Sequence, residues 1–166
     1  MPDTAVGVLI LHGMGTDVRG YARPLMTNVE TELRRLSVPA GAVVLREGFW
    51  ADILAGRQAK LWTDLSSAHR LDYRPLREFV IGALGDPIAY RPVPTTLPTT
   101  YHAIHIRVFE ELDALKAALP PSAQPLLVLV GHSLGSVILS DHVWDEQKGQ
   151  GHGGTRSPER KRWRGW

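Results

Sequence analysis

The chain has 166 residues, of which 43% are hydrophobic and 22% are charged. This composition is typical of a single globular domain and excludes an intrinsically disordered protein. The chain contains no cysteine, which excludes disulfide scaffolds, zinc–thiolate sites and thiol nucleophiles. No apolar run approaches the ~20 residues needed to cross a bilayer, so we expect no membrane span.

The net charge of +2 arises from the C-terminal tail. Of the 19 basic and 17 acidic residues, positions 156–166 hold five basic residues and one acidic residue, which leaves a net charge of −2 in positions 1–155. The body of the protein therefore has no general attraction for nucleic acid or for anionic membranes, and we expect no nucleic-acid partner. The alternative is nucleic-acid binding through the tail, where the basic run Arg160–Arg164 includes Trp163, a side chain that can stack on bases.

The first predicted element is a strand at Ala5–Leu11. It is a continuous apolar run that leads into the glycine-rich segment His12–Gly15, a pattern that is typical of a buried strand in a parallel sheet. The run is short for a secretory signal, and Asp3 stands where such a signal has basic residues. We therefore expect a cytoplasmic protein.

Helices and strands alternate along the rest of the chain. Helical spacing of apolar residues predicts helices over Tyr21–Leu36, Arg74–Leu84 and Tyr101–Leu119. Short apolar runs predict further strands at Ala42–Leu45 and Leu126–Val130, and a last helix follows the second of these to about Gln147. This order predicts an α/β fold with a mostly parallel sheet and helices on both faces.

The strongest chemical motif is the G-x-S-x-G pattern, which follows the strand Leu126–Val130 directly and opens the next helix. In a nucleophile elbow, a sharp strand-to-helix turn raises the serine hydroxyl above the sheet, and the flanking positions have little room for side chains. The pattern predicts Ser133 as a nucleophile. The alternative is a structural turn that merely requires glycine. The five residues of the motif are Gly131, His132, Ser133, Leu134 and Gly135.

The loop His12–Gly15 supplies a second part of such a site. Attack of a serine on an ester creates an oxyanion, which is stabilised by two backbone N–H donors. We predict that these donors are the amides of Met14 and Leu134, with Gly13 and Gly15 shaping the loop. His12 is interpreted as a side chain that holds this loop by hydrogen bonding.

These two motifs resemble those of the α/β-hydrolase superfamily, in particular its lipase-like and esterase-like members. The resemblance covers the His12–Gly15 loop, the Gly131–Gly135 elbow and the order of strands and helices from Ala5 to about Gln147. It implies a metal-free and cofactor-free serine hydrolase whose substrate is a small carboxylic ester or related acyl compound. In this superfamily the acid and the histidine of the catalytic triad follow the nucleophile on later strands.

The chain departs from that pattern after the elbow. Only 33 residues follow Ser133, and none of them forms another apolar run. We therefore interpret positions 1–149 as the N-terminal half of an α/β-hydrolase domain, which lacks the triad acid and histidine, and we expect it to be inactive. Positions 150–166 are interpreted as a disordered basic tail whose composition resembles an out-of-frame translation. The alternative function is a non-catalytic fragment or binding protein that retains the elbow.

Other candidate residues receive structural interpretations. His102 and His105 have a spacing that can bind a metal, but no carboxylate lies at ligand spacing, so we predict no metal site and a helix-surface pair. Asp141 and Asp145 are expected to point away from the site along the last helix. Trp50 and Trp62 are assigned to core packing, with the lining of an acyl pocket as the alternative. His142 is assigned to packing or to the helix surface, and His152 to a glycine-rich segment.

Truncation after the nucleophile strand also predicts an exposed sheet edge. The apolar run Leu126–Val130 would then present unpaired backbone to other chains. Self-association through this edge is expected.

Overall fold

The computed structural model of the chain describes residues 4–16, 18–54, 90, 99–121 and 124–148. The strands within these ranges are β1 (Thr4–Leu11), β2 (Val43–Gly48) and β3 (Gln124–Gly131). The helices are α1 (Arg23–Arg35), α2 (Thr100–Ala117) and α3 (Leu134–Lys148). The predicted helix over Arg74–Leu84, the side chain of Trp62 and the tail 150–166 lie outside the described residues.

The three strands form one parallel sheet in the order β2–β1–β3. The strands β1 and β3 pair along their whole length, from Thr4 opposite Gln124 to Leu11 opposite Gly131. Their carboxyl ends therefore lie at the same level of the sheet. The predicted α/β class with a parallel sheet is confirmed.

Helices lie on both sides of this sheet, but only one of its faces is packed against whole helices. Leu9 and Leu11 of β1 pack in the core together with residues of α2 and α3, which places both helices on one face. Successive side chains of a strand alternate between faces, so Ile10 and its β2 neighbour Glu47 point to the other face. The Glu47 carboxylate accepts hydrogen bonds from backbone N–H groups just before α1, at 2.6 Å from Gly20, and so the start of α1 lies on that second face.

The strand β2 extends three residues beyond its predicted end at Leu45. Its additional residues are polar, but their side chains have partners on the two faces of the sheet. Arg46 points to the α2 face and forms an ion pair of 2.6 Å with Glu111 of α2, whose side chain is largely buried. Glu47 points to the opposite face and binds the α1 start, as described above. Hydropathy alone could not detect these paired charges.

The main core lies between the sheet and the helices α2 and α3. Its centre contains residues with no measurable exposure, and α2 contributes the predicted apolar stripe. These stripe residues are Ile104, Val108, Leu112 and Leu115. None of the helices in the described ranges is long and apolar enough to span a membrane.

Candidate functional site

The loops after β1 and β3 meet at the position where an open α/β sheet binds ligands. After β1 the chain turns to α1 on one face, whereas after β3 it turns to α3 on the opposite face. A crevice opens between two neighbouring strands whose connections leave in opposite directions, outside their carboxyl ends. The loop His12–Gly15 and the turn Gly131–Gly135 lie at this position and contact each other, and His132 N–H donates to the Leu11 carbonyl at 3.1 Å.

Ser133 lies at the tip of a tight turn between β3 and α3. Its φ angle is +52°, in the left-handed region that residues other than glycine seldom occupy. Such a conformation costs on the order of 1–2 kcal/mol and is concentrated at functional sites. The Ser133 side chain is exposed, and α3 begins at the next residue, Leu134. The strand–turn–helix order predicted around Ser133 is present.

The glycines at both ends of this turn are required by close backbone contacts. A methyl group at Gly131 would lie 2.6 Å from the backbone nitrogen of Ser136. A methyl group at Gly135 would overlap the carbonyl oxygens of Leu11 and His12. The start of α3 therefore sits directly against the end of β1.

The predicted oxyanion loop contacts the Ser133 turn. A methyl group at Gly13 would lie 2.7 Å from the Cβ atom of Ser133 and 2.7 Å from the carbonyl oxygen of His132. Met14 follows Gly13 on this loop and is 37% exposed. Gly15 has a φ of +72° and turns the chain in open space. The structure thus brings together the loop of Met14 and the start of α3 at Leu134.

His12 is buried beneath this loop, and both of its ring nitrogens are engaged. Nε2 accepts a hydrogen bond of 3.2 Å from the backbone N–H of Trp50, which leaves Nδ1 as the donor to the Gly13 carbonyl at 2.7 Å. The Trp50 indole stacks on the imidazole at 4.7 Å and donates its own N–H to the His12 carbonyl. His12 therefore fixes the loop instead of contacting Ser133, and Trp50 is a core residue.

Burial lowers the pKa of His12, so its neutral form is favoured in the folded protein. The unfolded state takes up the proton first as the pH falls through about 6.5, so this contribution to stability is present above that pH and is lost below it. We expect the free energy of unfolding to decrease between pH 7 and pH 5, and to decrease less in His12→Gln. Urea unfolding of both proteins across this range measures the difference. Equal slopes would contradict the neutral assignment of His12.

None of the five histidines in the described ranges is seen to bond Ser133. His102 caps the start of α2, with its Nδ1 at 2.7 Å from the Thr99 hydroxyl, and His132 is exposed with its side chain beside Gly13. His12, His105 and His142 are fully or almost fully buried. His69 and His152 lie outside the described residues.

A second group of titratable side chains lies buried between α2 and α3. The Tyr90 hydroxyl donates to Asp141 at 3.0 Å and, because a phenol has one proton, accepts from Nε2 of His105 at 2.9 Å. Tyr101 donates to Asp145 at 2.9 Å and stacks on the His105 ring. Burial and the adjacent carboxylates raise the pKa of both tyrosines, so both hydroxyls remain donors.

This group corrects two predictions. His102 and His105 are not a surface pair, because His105 has no exposed surface and turns toward α3 while His102 caps the helix. Asp141 and Asp145 do not point away along α3, because both bind tyrosines in or next to α2. In the described part of the chain, no cluster of three histidine or acidic side chains has a geometry suited to a metal ion.

Comparison with known proteins adds no further constraint. No protein-family model, no curated protein and no solved structure matches the chain.

Proposed function

We propose that Ser133 is the nucleophile of a serine hydrolase site for carboxylic esters or related acyl compounds. The observation that carries the proposal is the left-handed φ of an exposed serine, in a turn whose neighbours admit only glycine, against a second glycine loop. A purely structural turn would place glycine at the strained position itself.

The site residues have separate roles in this proposal. The Ser133 Oγ attacks the acyl carbon, and the developing negative charge on the carbonyl oxygen is stabilised by the N–H groups of Met14 and Leu134. The positive end of the α3 dipole points at the same place. Gly13 allows the two loops to approach, and His12 holds the first loop through Trp50.

The proton acceptor of this reaction is not assigned to any histidine in the described ranges. A serine without a base is a weak nucleophile, so in this proposal the described part of the chain supplies the nucleophile and oxyanion parts of the site. The alternative is a binding protein that retains the elbow without its chemistry. The two alternatives differ in the reactivity of Ser133 toward a reagent whose transition state also carries an oxyanion.

Labelling with a fluorophosphonate distinguishes the serine hydrolase site from the binding protein. The reagent forms a bond between the serine Oγ and phosphorus and releases fluoride, while the hydroxyl proton passes to solvent or to added imidazole. Since one oxyanion donor is worth roughly 10²–10³ in rate, we expect Ser133 to label about a hundredfold faster than the exposed Ser136 and Ser140. Imidazole should accelerate that labelling.

Peptide mapping by mass spectrometry identifies the labelled serine among the eight in the chain. Ser133→Ala should abolish the fast labelling, and Ser140→Ala, which changes another exposed serine of α3, is the matched control that should retain it. If Ser133 reacted no faster than Ser136 and Ser140, with or without imidazole, the binding-protein alternative would stand.

A further inference from the structure

The outer side of β3 differs from the rest of the sheet. The strand β1 pairs with a neighbour on each side, whereas β3 ends the sheet within the described residues and its side chains on the α1 face remain exposed. Leu126, Val128 and Val130 are 57%, 43% and 36% exposed and form one continuous row. The crossover from β1 to β2 carries α1 away from this row, which explains its exposure.

A groove runs along the opposite face of the same edge, between β3 and α3. It has a volume of about 470 Å³. Its walls come from one strand and one side of one helix: Leu129, Gly131, Ser136, Leu139, Ser140 and Val143. Neither these residues nor those of β3 carry a charge. Charges on an edge strand are a common means of preventing pairing, and this edge has none.

We propose that this edge binds a second copy of the chain, with the two β3 strands antiparallel about a two-fold axis. An occupant of the edge must offer both a strand, to pair with β3, and a helix beside it, to fill the groove. A second copy offers both, since a two-fold axis perpendicular to the sheet keeps the two α3 helices on the same face. Such a contact is self-complementary and closes as a dimer.

The geometry places particular residues at the axis. An axis at Val128 pairs seven of the eight residues of the strand and lies at the centre of the exposed row Leu126, Val128 and Val130. Since a helix rises 1.5 Å per residue and a strand about 3.3 Å, Ser140 lies ~10 Å along α3 and level with Val128. Each residue would therefore face its own counterpart in the second copy.

The available area indicates a reversible dimer. The edge of an eight-residue strand and the side of its adjacent helix make a strip of roughly 25 by 20 Å, on the order of 500 Å² per copy. Interfaces of standard size bury about 800 Å² per partner. We therefore expect dissociation in the micromolar range, and sedimentation of the whole chain from 1 to 200 µM should show a monomer–dimer equilibrium.

A charge-reversal experiment tests the arrangement at the axis. Val128→Glu or Val128→Lys places like charges opposite each other across the axis, which destabilises a strand pair. We expect each variant alone to sediment as a folded monomer by circular dichroism and ultracentrifugation, and an equimolar mixture to recover the dimer. Leu25→Glu is the matched control, because Leu25 is 44% exposed on α1, away from the edge of β3, and it should dimerise as the wild type does.

Cross-linking provides a second measurement that does not depend on weakening the contact. The chain has no cysteine, so Ser140→Cys introduces a single thiol. A bismaleimide with a short linker should join two copies of Ser140→Cys, and should not join copies of Thr31→Cys, an exposed residue of α1. A wild-type monomer at 200 µM, open-ended aggregates, or failure of the mixed Val128 variants to associate would each overturn the proposal.

Discussion

Gly135→Ala is expected to lower the free energy of unfolding by about 3 kcal/mol and to abolish fast labelling of Ser133. The added methyl group overlaps two main-chain oxygens at the end of β1, and main chain in a paired strand cannot move aside as a flexible side chain can. The helix α3 must therefore shift away from the sheet. Overpacking of this kind typically costs 1–3 kcal/mol, and here both contacts are with backbone.

The matched control is Gly41→Ala. Gly41 has a φ of +82°, but nothing lies within 4 Å of an added methyl group. Only conformational strain opposes this substitution, so we expect a loss of about 1 kcal/mol and normal labelling. Urea unfolding gives both free energies. A Gly135→Ala protein as stable and as reactive as Gly41→Ala would show that the contact between α3 and β1 is looser than described.

The strands and helices with a clear pattern of apolar residues were predictable from the sequence. The strand at Ala5–Leu11 is a continuous apolar run, and the stripe from Ile104 to Leu115 has helical spacing, so the burial of both follows from the local sequence. The turn at Ser133 was predictable for a different reason. Two glycines around a serine, between a strand and a helix, satisfy a steric requirement that depends on local backbone geometry.

Residues whose role depends on distant partners could not be placed in this way. His105 carries no sequence signal that distinguishes a surface histidine from a buried one, because its partners Tyr90 and Asp145 are 15 and 40 positions away. The same limit applies to Trp50, whose indole binds the His12 carbonyl across 38 positions. An aromatic residue shortly after the end of β2, beside the carboxyl end of β1, is a weak sequence signal for the contact between Trp50 and His12.

The position of His12 also limits how the site can work. An imidazole that acts as a base toward Ser133 needs a free nitrogen directed at the hydroxyl, but Nε2 of His12 accepts from Trp50 and Nδ1 donates to Gly13. His142 is fully buried beside His105. These two histidines therefore serve the fold, and neither is placed to act as a base toward Ser133.

Ester turnover by this chain is accordingly expected to be very slow. When a triad member is missing, the oxyanion hole and substrate binding leave a residual acceleration of ~10³–10⁴ over water, far below that of a complete serine hydrolase. We expect purified protein to hydrolyse p-nitrophenyl acetate at a rate within about tenfold of Ser133→Ala. Continuous absorbance measurements at matched protein concentrations compare the two, with Ser140→Ala as the control for a nearby serine.

The specific activity measured at several protein concentrations tests this prediction in a second, independent way. Turnover that is robust and dependent on Ser133 would contradict it and would require a base from His132, from His69 or His152 outside the described residues, or from a second chain. In the last case the specific activity would rise with protein concentration, and Val128→Glu would lower it to the level of Ser133→Ala. A base within the same chain predicts a specific activity that is constant with concentration and equal in Val128→Glu.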